Sequence, residues 1–207
     1  MNACARILAL VLFLGTFGPP VQAQGQSAAL DVAGLAALLG QRRETQARFV
    51  EERFVAGLDQ PLRASGTLSF VPPSRFVRQT LLPRPELLAI DGNQVTMQRG
   101  GRTRTMTLDS VPEATALLEA LRGALTGDLA SLQRHYVVRV DGNAVRWRLS
   151  LSPRAERIGT QVQRLEIEGQ GAELRSVELQ LAGGDRSTMS IEPLVANLPG
   201  AAPAARK

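Results

Sequence analysis

From about residue 47 onward, apolar and polar residues alternate through most of the chain. Near the middle, for example, Val145, Trp147 and Leu149 alternate with Arg146 and Arg148. A period of two is the repeat of a β-strand with one apolar and one polar face. The alternation therefore predicts an antiparallel sheet with one wet face and one apolar face, and the apolar face must be covered by something else.

Turn residues divide this region into about ten or eleven strands. Asp91-Gly92-Asn93 and Asp141-Gly142-Asn143 are predicted hairpin turns. Pro72-Pro73 predicts a sheet edge or a crossing between strands, because proline cannot donate to a central ladder. The expected strands lie at about residues 49–55, 62–70, 75–82, 88–90, 95–97, 102–108, 136–141, 145–151, 161–168, 174–181 and 187–194.

Only two regions have the spacing of helices. Leucines recur at helical spacing within residues 28–43, and Pro112 suits the first turn of a helical region at 111–132 that is broken by Gly127-Asp128. Two short helical regions are little cover for a sheet of this size. The residues leave two outcomes open: a dry core, or an incompletely covered face that forms an apolar pocket for a lipid-like ligand.

The beginning of the chain has the pattern of a secretory signal peptide. Arg6 precedes an apolar run at residues 7–17, and small residues precede a cleavage position before Gln24. A retained membrane anchor is the alternative, but the run is shorter than the ~20 residues that span a bilayer. We expect a signal peptide at 1–23, a single domain at 24–196 and a flexible Ala/Pro-rich tail at 197–207.

Composition argues against catalysis, metal binding and nucleic-acid binding. The net charge is +5, but the arginines alternate with acids and aromatic residues make up only 4% of the chain, which is not a nucleic-acid pattern. The single cysteine, Cys4, leaves with the signal peptide, and His135 is the only histidine. Glu51 and Glu52 fall on opposite strand faces and form no acid/base pair. We therefore expect no catalytic residues, no metal site, no cofactor and no enzymatic activity.

Several segments in order resemble the outer-membrane lipoprotein carrier (LolA) family, in a divergent branch. The residues that carry the resemblance are Phe49-x-Glu51, Pro61-Leu62-x-x-x-Gly66-x-Leu68-x-Phe70-x-x-Pro73, Pro83, Glu86, Leu88, Asp91-Gly92, Trp147-x-Leu149-x-Leu151-x-Pro153, Ile158, Leu165, Gly169, Val177 and 185–191. The resemblance implies an open antiparallel barrel of ten or eleven strands, with helices as a lid over its concave apolar face.

The same resemblance implies a function and its partners. Such a protein would be a monomeric periplasmic chaperone of a Gram-negative bacterium that takes part in lipoprotein transport and outer-membrane biogenesis. It would take acyl chains from an inner-membrane ABC exporter, shield them, and deliver them to an outer-membrane acceptor, without a cofactor. An envelope sensor or interaction module with the same fold and no lipid cargo is the alternative.

The resemblance also implies which residues line the cavity. The lid residues would be Leu117, Leu118, Leu121 and Leu125. The expected lining residues are Leu68, Phe70, Phe76, Leu88, Ile90, Val95, Met97, Met106, Trp147, Leu149, Leu179, Leu181, Met189 and Ile191. Pro72 stands where carriers of this family have an arginine, which leaves the cargo open among a lipoprotein, a glycolipid and a pigment lipid.

Overall fold

The alternating region forms eleven antiparallel strands, which confirms the predicted mainly-β open sheet with helices. A computed structural model describes residues 29–41, 45–108, 112–154 and 162–194, with only the backbone described at 112–117. The predicted signal peptide and tail lie outside these residues. The elements are α1 Val32–Leu39, β1 Thr45–Phe54, β2 Leu62–Val71, β3 Arg75–Leu82, β4 Glu86–Asp91, β5 Gln94–Arg99, β6 Arg102–Thr107, α2 Pro112–Thr126, α3 Leu129–Leu132, β7 Tyr136–Gly142, β8 Trp147–Pro153, β9 Val162–Gln170, β10 Glu173–Leu181 and β11 Arg186–Pro193.

All eleven strands belong to one sheet, in which β1 and β11 are neighbours. The order is β6-β5-β4-β3-β2-β1-β11-β10-β9-β8-β7. Two meanders, β1–β6 and β7–β11, therefore meet in the middle of the sheet. They are joined in a register that runs from Ala47 opposite Pro193 to Phe54 opposite Arg186. Among the described strands, β6 and β7 pair on one side only, so the sheet is an open half-barrel.

The helices pack on the inner, apolar face of this sheet. The Asp31 side chain caps α1 by accepting from the Gly34 backbone N–H at 2.7 Å, and α2 begins at the predicted Pro112. Leu35 and Leu39 of α1 and Leu129 and Leu132 of α3 are buried against strands β7–β9. The main core thus lies at one side of the sheet, where the helices cover it.

The first predicted hairpin turn is confirmed, and the second hairpin is present but its turn lies further along the chain than predicted. Gly92 and Asn93 form the two-residue connection between β4 and β5. Gly142, by contrast, is still paired with Trp147, so the turn lies at residues 143–146. The Asn143 side chain fixes this turn by accepting from the backbone N–H groups of Val145 and Arg146 at 2.9 and 3.1 Å. Val145, expected on the apolar face, is therefore an exposed turn residue.

Other boundaries shift by a few residues. The helix predicted at 28–43 is α1 at Val32–Leu39, and the first strand begins at Thr45 rather than at residue 49. The Pro72-Pro73 pair lies in the tight connection between β2 and β3, where Val71 pairs with Arg75. A prolyl pair at the end of a ladder leaves no central hydrogen bond unmade.

Tyr136, the only tyrosine, should titrate abnormally. Its burial at the start of β7, with the Glu119 carboxylate as a second cause, raises its pKa from about 10 to about 12. Between these pH values the unfolded chain loses the phenolic proton and the native protein keeps it. We therefore expect the free energy of unfolding to fall as the pH rises through this window. Phenolate absorbance of the native protein, with a stability series at each pH, checks this.

The matched control is Tyr136→Phe, which should remove this part of the pH dependence. A native tyrosine that ionises at its ordinary pKa would contradict the assignment.

Candidate ligand-binding cavity

A large cavity lies on the inner face of the sheet, across the junction of the two meanders. Its volume is about 1140 Å³, slightly above the ~300–1,000 Å³ usual for small-molecule sites. The strands that line it are mostly the central ones, β1, β2, β3, β10 and β11, and helix α2 contributes one wall. The cavity is therefore formed where the helices leave the middle of the sheet uncovered.

The cavity wall is mostly aliphatic and aromatic. Phe70 and Phe76 contribute aromatic rings from β2 and β3, and Leu118, Leu121 and Leu125 face them from α2. The remaining apolar residues come from neighbouring strands: Ala47, Leu68, Leu88, Leu165, Ala172, Leu174, Val177, Leu179, Met189, Ile191, Pro193 and Leu194. A wall of this kind favours an apolar ligand because burial removes its surface from water.

Two packed clusters flank the cavity. The larger one joins the helices to β7–β9 and contains Trp147 and Leu149. The smaller one contains Ile90, Val95 and Leu108, with Leu118 of α2 packed against it. Helix α2 thus contacts both clusters and spans the space between them, which places its leucines over the cavity.

The lining also contains polar residues, and three of them form a hydrogen-bonded cluster. Arg78 Nη2 on β3 donates to Glu51 Oε2 on β1 at 2.5 Å, and Ser187 Oγ on β11 donates to Glu51 Oε1, also at 2.5 Å. The Arg78 guanidinium carbon lies 4.6 Å from the centroid of the Phe49 ring, a cation–π distance. Glu51, Arg78 and Ser187 all line the cavity and together form what we call the polar triad.

Several residues predicted from the sequence line this cavity. From α2 they are Leu118, Leu121 and Leu125, while the side chain of Leu117 lies outside the described residues. From the strands they are Leu68, Phe70, Phe76, Leu88, Leu179, Met189 and Ile191. Whether they contact a ligand stays a prediction.

The other predicted lining residues lie elsewhere. Trp147 and Leu149, 1% and 0% exposed, are in the main core, where the Trp147 indole N–H donates to the Gly171 carbonyl at 2.8 Å. Ile90, Val95 and Met106 belong to the smaller cluster. Met97 is 43% exposed, and Leu181, half-buried at the end of β10, does not reach the cavity. They all share the inner face, but the helices cover some positions and the cavity does not extend to others.

The sequence reasoning missed the polar triad. The available signal was strand phase: Arg78 lies two residues from Phe76, and Glu51 two residues from Phe49, so both are in step with the inner face.

His135, the only histidine, is exposed between α3 and β7. Within the described ranges, no group of three or more His, Cys, Asp or Glu side chains could hold a metal ion. None of the described helices is long and apolar enough to cross a membrane.

The architecture defines a class of proteins: open antiparallel half-barrels in which helices partly cover an apolar inner face. The chain belongs to the LolA-like family, because the family profile described as "Outer membrane lipoprotein carrier protein LolA-like" matches residues 24–206. A search of curated proteins finds no match to the sequence.

Solved structures with similar folds are distant in sequence. The LolA superfamily protein NE2245 from Nitrosomonas europaea is 10% identical, over 81% of this chain and 93% of that chain, with a TM-score of 0.43. A DUF1329 family protein from Desulfovibrio piger is 11% identical over 83% and 92%, with a TM-score of 0.45. The matching chain in the MucA/MucB complex of Pseudomonas aeruginosa is 20% identical, over 84% of this chain and 59% of that chain, with a TM-score of 0.35. The family assignment rests on the sequence match alone.

Truncating a cavity residue and a core residue should have different costs. Leu149→Ala removes a fully buried side chain, and we expect a loss of about 2–5 kcal/mol in the free energy of unfolding. Leu68→Ala only enlarges a space that already exists, so the loss should be less than half as large. Denaturant unfolding followed by the fluorescence of Trp147, the only tryptophan, measures both. Equal losses would mean that the inner face is a sealed core at Leu68.

Proposed function

We propose that this protein is a periplasmic carrier that shields acyl chains of a lipoprotein or another lipid during transfer to the outer membrane. The observation that carries the proposal is the apolar cavity of about 1140 Å³ on the inner face of the half-barrel. Membership in the LolA-like family supports it. The proposal assigns the chain no catalytic step and no cofactor.

The physical argument is the free-energy cost of leaving the apolar lining of the cavity in contact with water. Apolar surface left in water costs roughly 25 cal/mol per Å² relative to burial. The cavity presents leucines, phenylalanines and a methionine from both meanders and from α2. A ligand made of methylene groups offsets this cost over its whole length, whereas a polar ligand would lose its own hydration.

The cover over the cavity supports a ligand that enters and leaves. Helix α2 faces the sheet with the side chains of Leu118, Leu121 and Leu125, which are purely apolar. Contacts made only by dispersion and water exclusion are non-directional and can be remade with an acyl chain between the two layers.

The remaining parts of the proposal concern location and partners. We propose that the chain is exported to the periplasm as a monomer, that an inner-membrane ABC exporter supplies the cargo, and that an outer-membrane acceptor receives it. The family match and the pattern at the start of the sequence support this route.

A charge placed in the cavity should abolish lipid binding. We expect Met189→Glu to weaken binding of the neutral fluorophore N-phenylnaphthylamine at least about ten-fold, because a bound apolar ligand would desolvate the new carboxylate. The matched control is Ser190→Glu, the next residue on β11, which is exposed on the opposite face. Fluorescence titration of both variants and of the unaltered protein measures the effect, with thermal unfolding to verify the fold.

Native mass spectrometry of protein purified from a periplasmic extract, followed by lipid extraction, identifies the cargo. A bound acyl species supports the carrier. If no lipid co-purifies and the unaltered protein takes up no fluorophore, the proposal fails and an interaction module with a closed apolar face replaces it.

A further inference from the structure

The polar triad occupies a place where an apolar residue would continue the cavity wall. Arg78 is opposite Leu68 on β2 and opposite Leu88 on β4, and both leucines line the cavity. Glu51 is opposite Met189 on β11, another lining residue. Ion pairs removed from water are seldom more stabilising than apolar residues of similar size, because desolvation offsets the attraction between the charges. Stability alone therefore does not account for this pair.

Arg78 has hydrogen-bonding capacity that the triad does not use. A guanidinium group carries five N–H donors. Among the described residues the only hydrogen bond of Arg78 is that from Nη2 to Glu51, and the side chain is 25% exposed. Since Arg78 lines the cavity, its remaining donors are accessible to a molecule that enters it.

The triad lies beyond the part of the cavity that α2 covers. Leu118 of α2 packs near Phe76, and Arg78 follows Phe76 by two residues on β3, which is about 7 Å along the strand. The cavity therefore has an apolar part beneath the helix and a polar part further along the strands. An amphiphile fits such a cavity in one direction, with its chain beneath α2 and its polar group at Arg78.

The charges of the triad indicate what kind of polar group fits. Glu51 neutralises Arg78, so the pair has no net charge. The guanidinium group nevertheless keeps N–H donors that can bind an acceptor. Glu173, the other charged lining residue, is on β10 and pairs with Arg175. A neutral acceptor suits this arrangement better than a second carboxylate, which would meet Glu51, or an ammonium group, which would meet Arg78.

We propose that the polar triad is a subsite for the carbonyl oxygen of an acyl ester, with Arg78 as the donor, Glu51 holding its guanidinium group in place, and Ser187 holding Glu51. This inference rests on the proposed function and names the ligand class of the same cavity: acyl chains in ester linkage, rather than free hydrocarbons or free amines. The shared chemistry is the ester carbonyl, whether it belongs to a lipoprotein, a phospholipid or a pigment ester.

The experiment compares ligands of one chain length by displacement of N-phenylnaphthylamine. The competitors are a fatty acid methyl ester, the free fatty acid and the primary alkylamine. The variants are Arg78→Leu and Glu51→Gln. The matched control is Arg148→Leu, which breaks the exposed ion pair with Glu168 on the outer face of β8 and β9. Thermal unfolding of each variant establishes that it is folded.

Each variant has its own expected result. Arg78→Leu weakens the methyl ester about ten-fold relative to the fluorophore, because the hydrogen bond from a charged donor to the ester carbonyl is lost. It also raises the affinity for the alkylamine, because Glu51 is left without its partner. Glu51→Gln favours the free fatty acid instead, because the guanidinium charge is no longer neutralised. Arg148→Leu changes none of these ratios.

Two results would overturn the inference, and they differ. If the unaltered protein binds the fluorophore and the acyl competitors, but the ratios among competitors are the same in Arg78→Leu, the triad is only an ion pair between strands and the carrier function stands. If the unaltered protein binds neither the fluorophore nor any competitor, the carrier function itself is refuted, and the subsite with it.

Discussion

The pairing of β1 with β11 is the constraint on which the rest of the structure depends. Without it, β1–β6 and β7–β11 would be two separate meanders. The cavity would not form, because its lining residues come from both. Further hydrogen bonds reinforce the β1–β11 pairing at each end. The backbone N–H of Leu194 donates to the Gln46 carbonyl at 2.7 Å, and that of Ala56 donates to the Asp185 carboxylate at 2.9 Å. Since these partners are far apart in sequence, their pairing carries a large loop-closure cost, which the whole sheet must offset.

The order of elements along the chain explains why the middle of the sheet stays open. Helix α1 precedes β1, whereas α2 and α3 lie between the two meanders, and α1 and α3 pack on β7. The helices therefore bury the β7–β9 side, and only α2 extends toward the smaller cluster around Ile90 and Val95. Chain connectivity leaves no described helix to fill the space above β1 and β11. The cavity is thus a consequence of topology, and its apolar lining follows from the same alternation that forms the strands.

The alternation was enough to predict the sheet, its two faces and most strand positions, because a period of two is a local property of the sequence. It could not separate Leu149 from Leu179, since both lie on the inner face and only the position of the helices makes one of them core and the other cavity wall. Val145 was misplaced because the Asn143 side chain, rather than Asp141-Gly142, determines the turn. Arg78 and Glu51 were missed because only apolar residues were considered as lining residues, although the phase of these two with Phe76 and Phe49 placed them inward.

The polar triad bears on how the proposed carrier would bind selectively and still release its cargo. Arg78 is satisfied electrostatically by Glu51, and both side chains keep some contact with solvent, 25% and 16% exposed. Departure of an ester carbonyl therefore leaves no unpaired buried charge, which would otherwise make release costly. Under the proposed function, selectivity would reside in the Arg78 donors that Glu51 does not use, and most of the binding energy would come from the non-directional apolar wall. In the proposed route, transfer would need no energy source within this chain, because a partner with higher affinity for the acyl chains would be sufficient to draw the cargo onward.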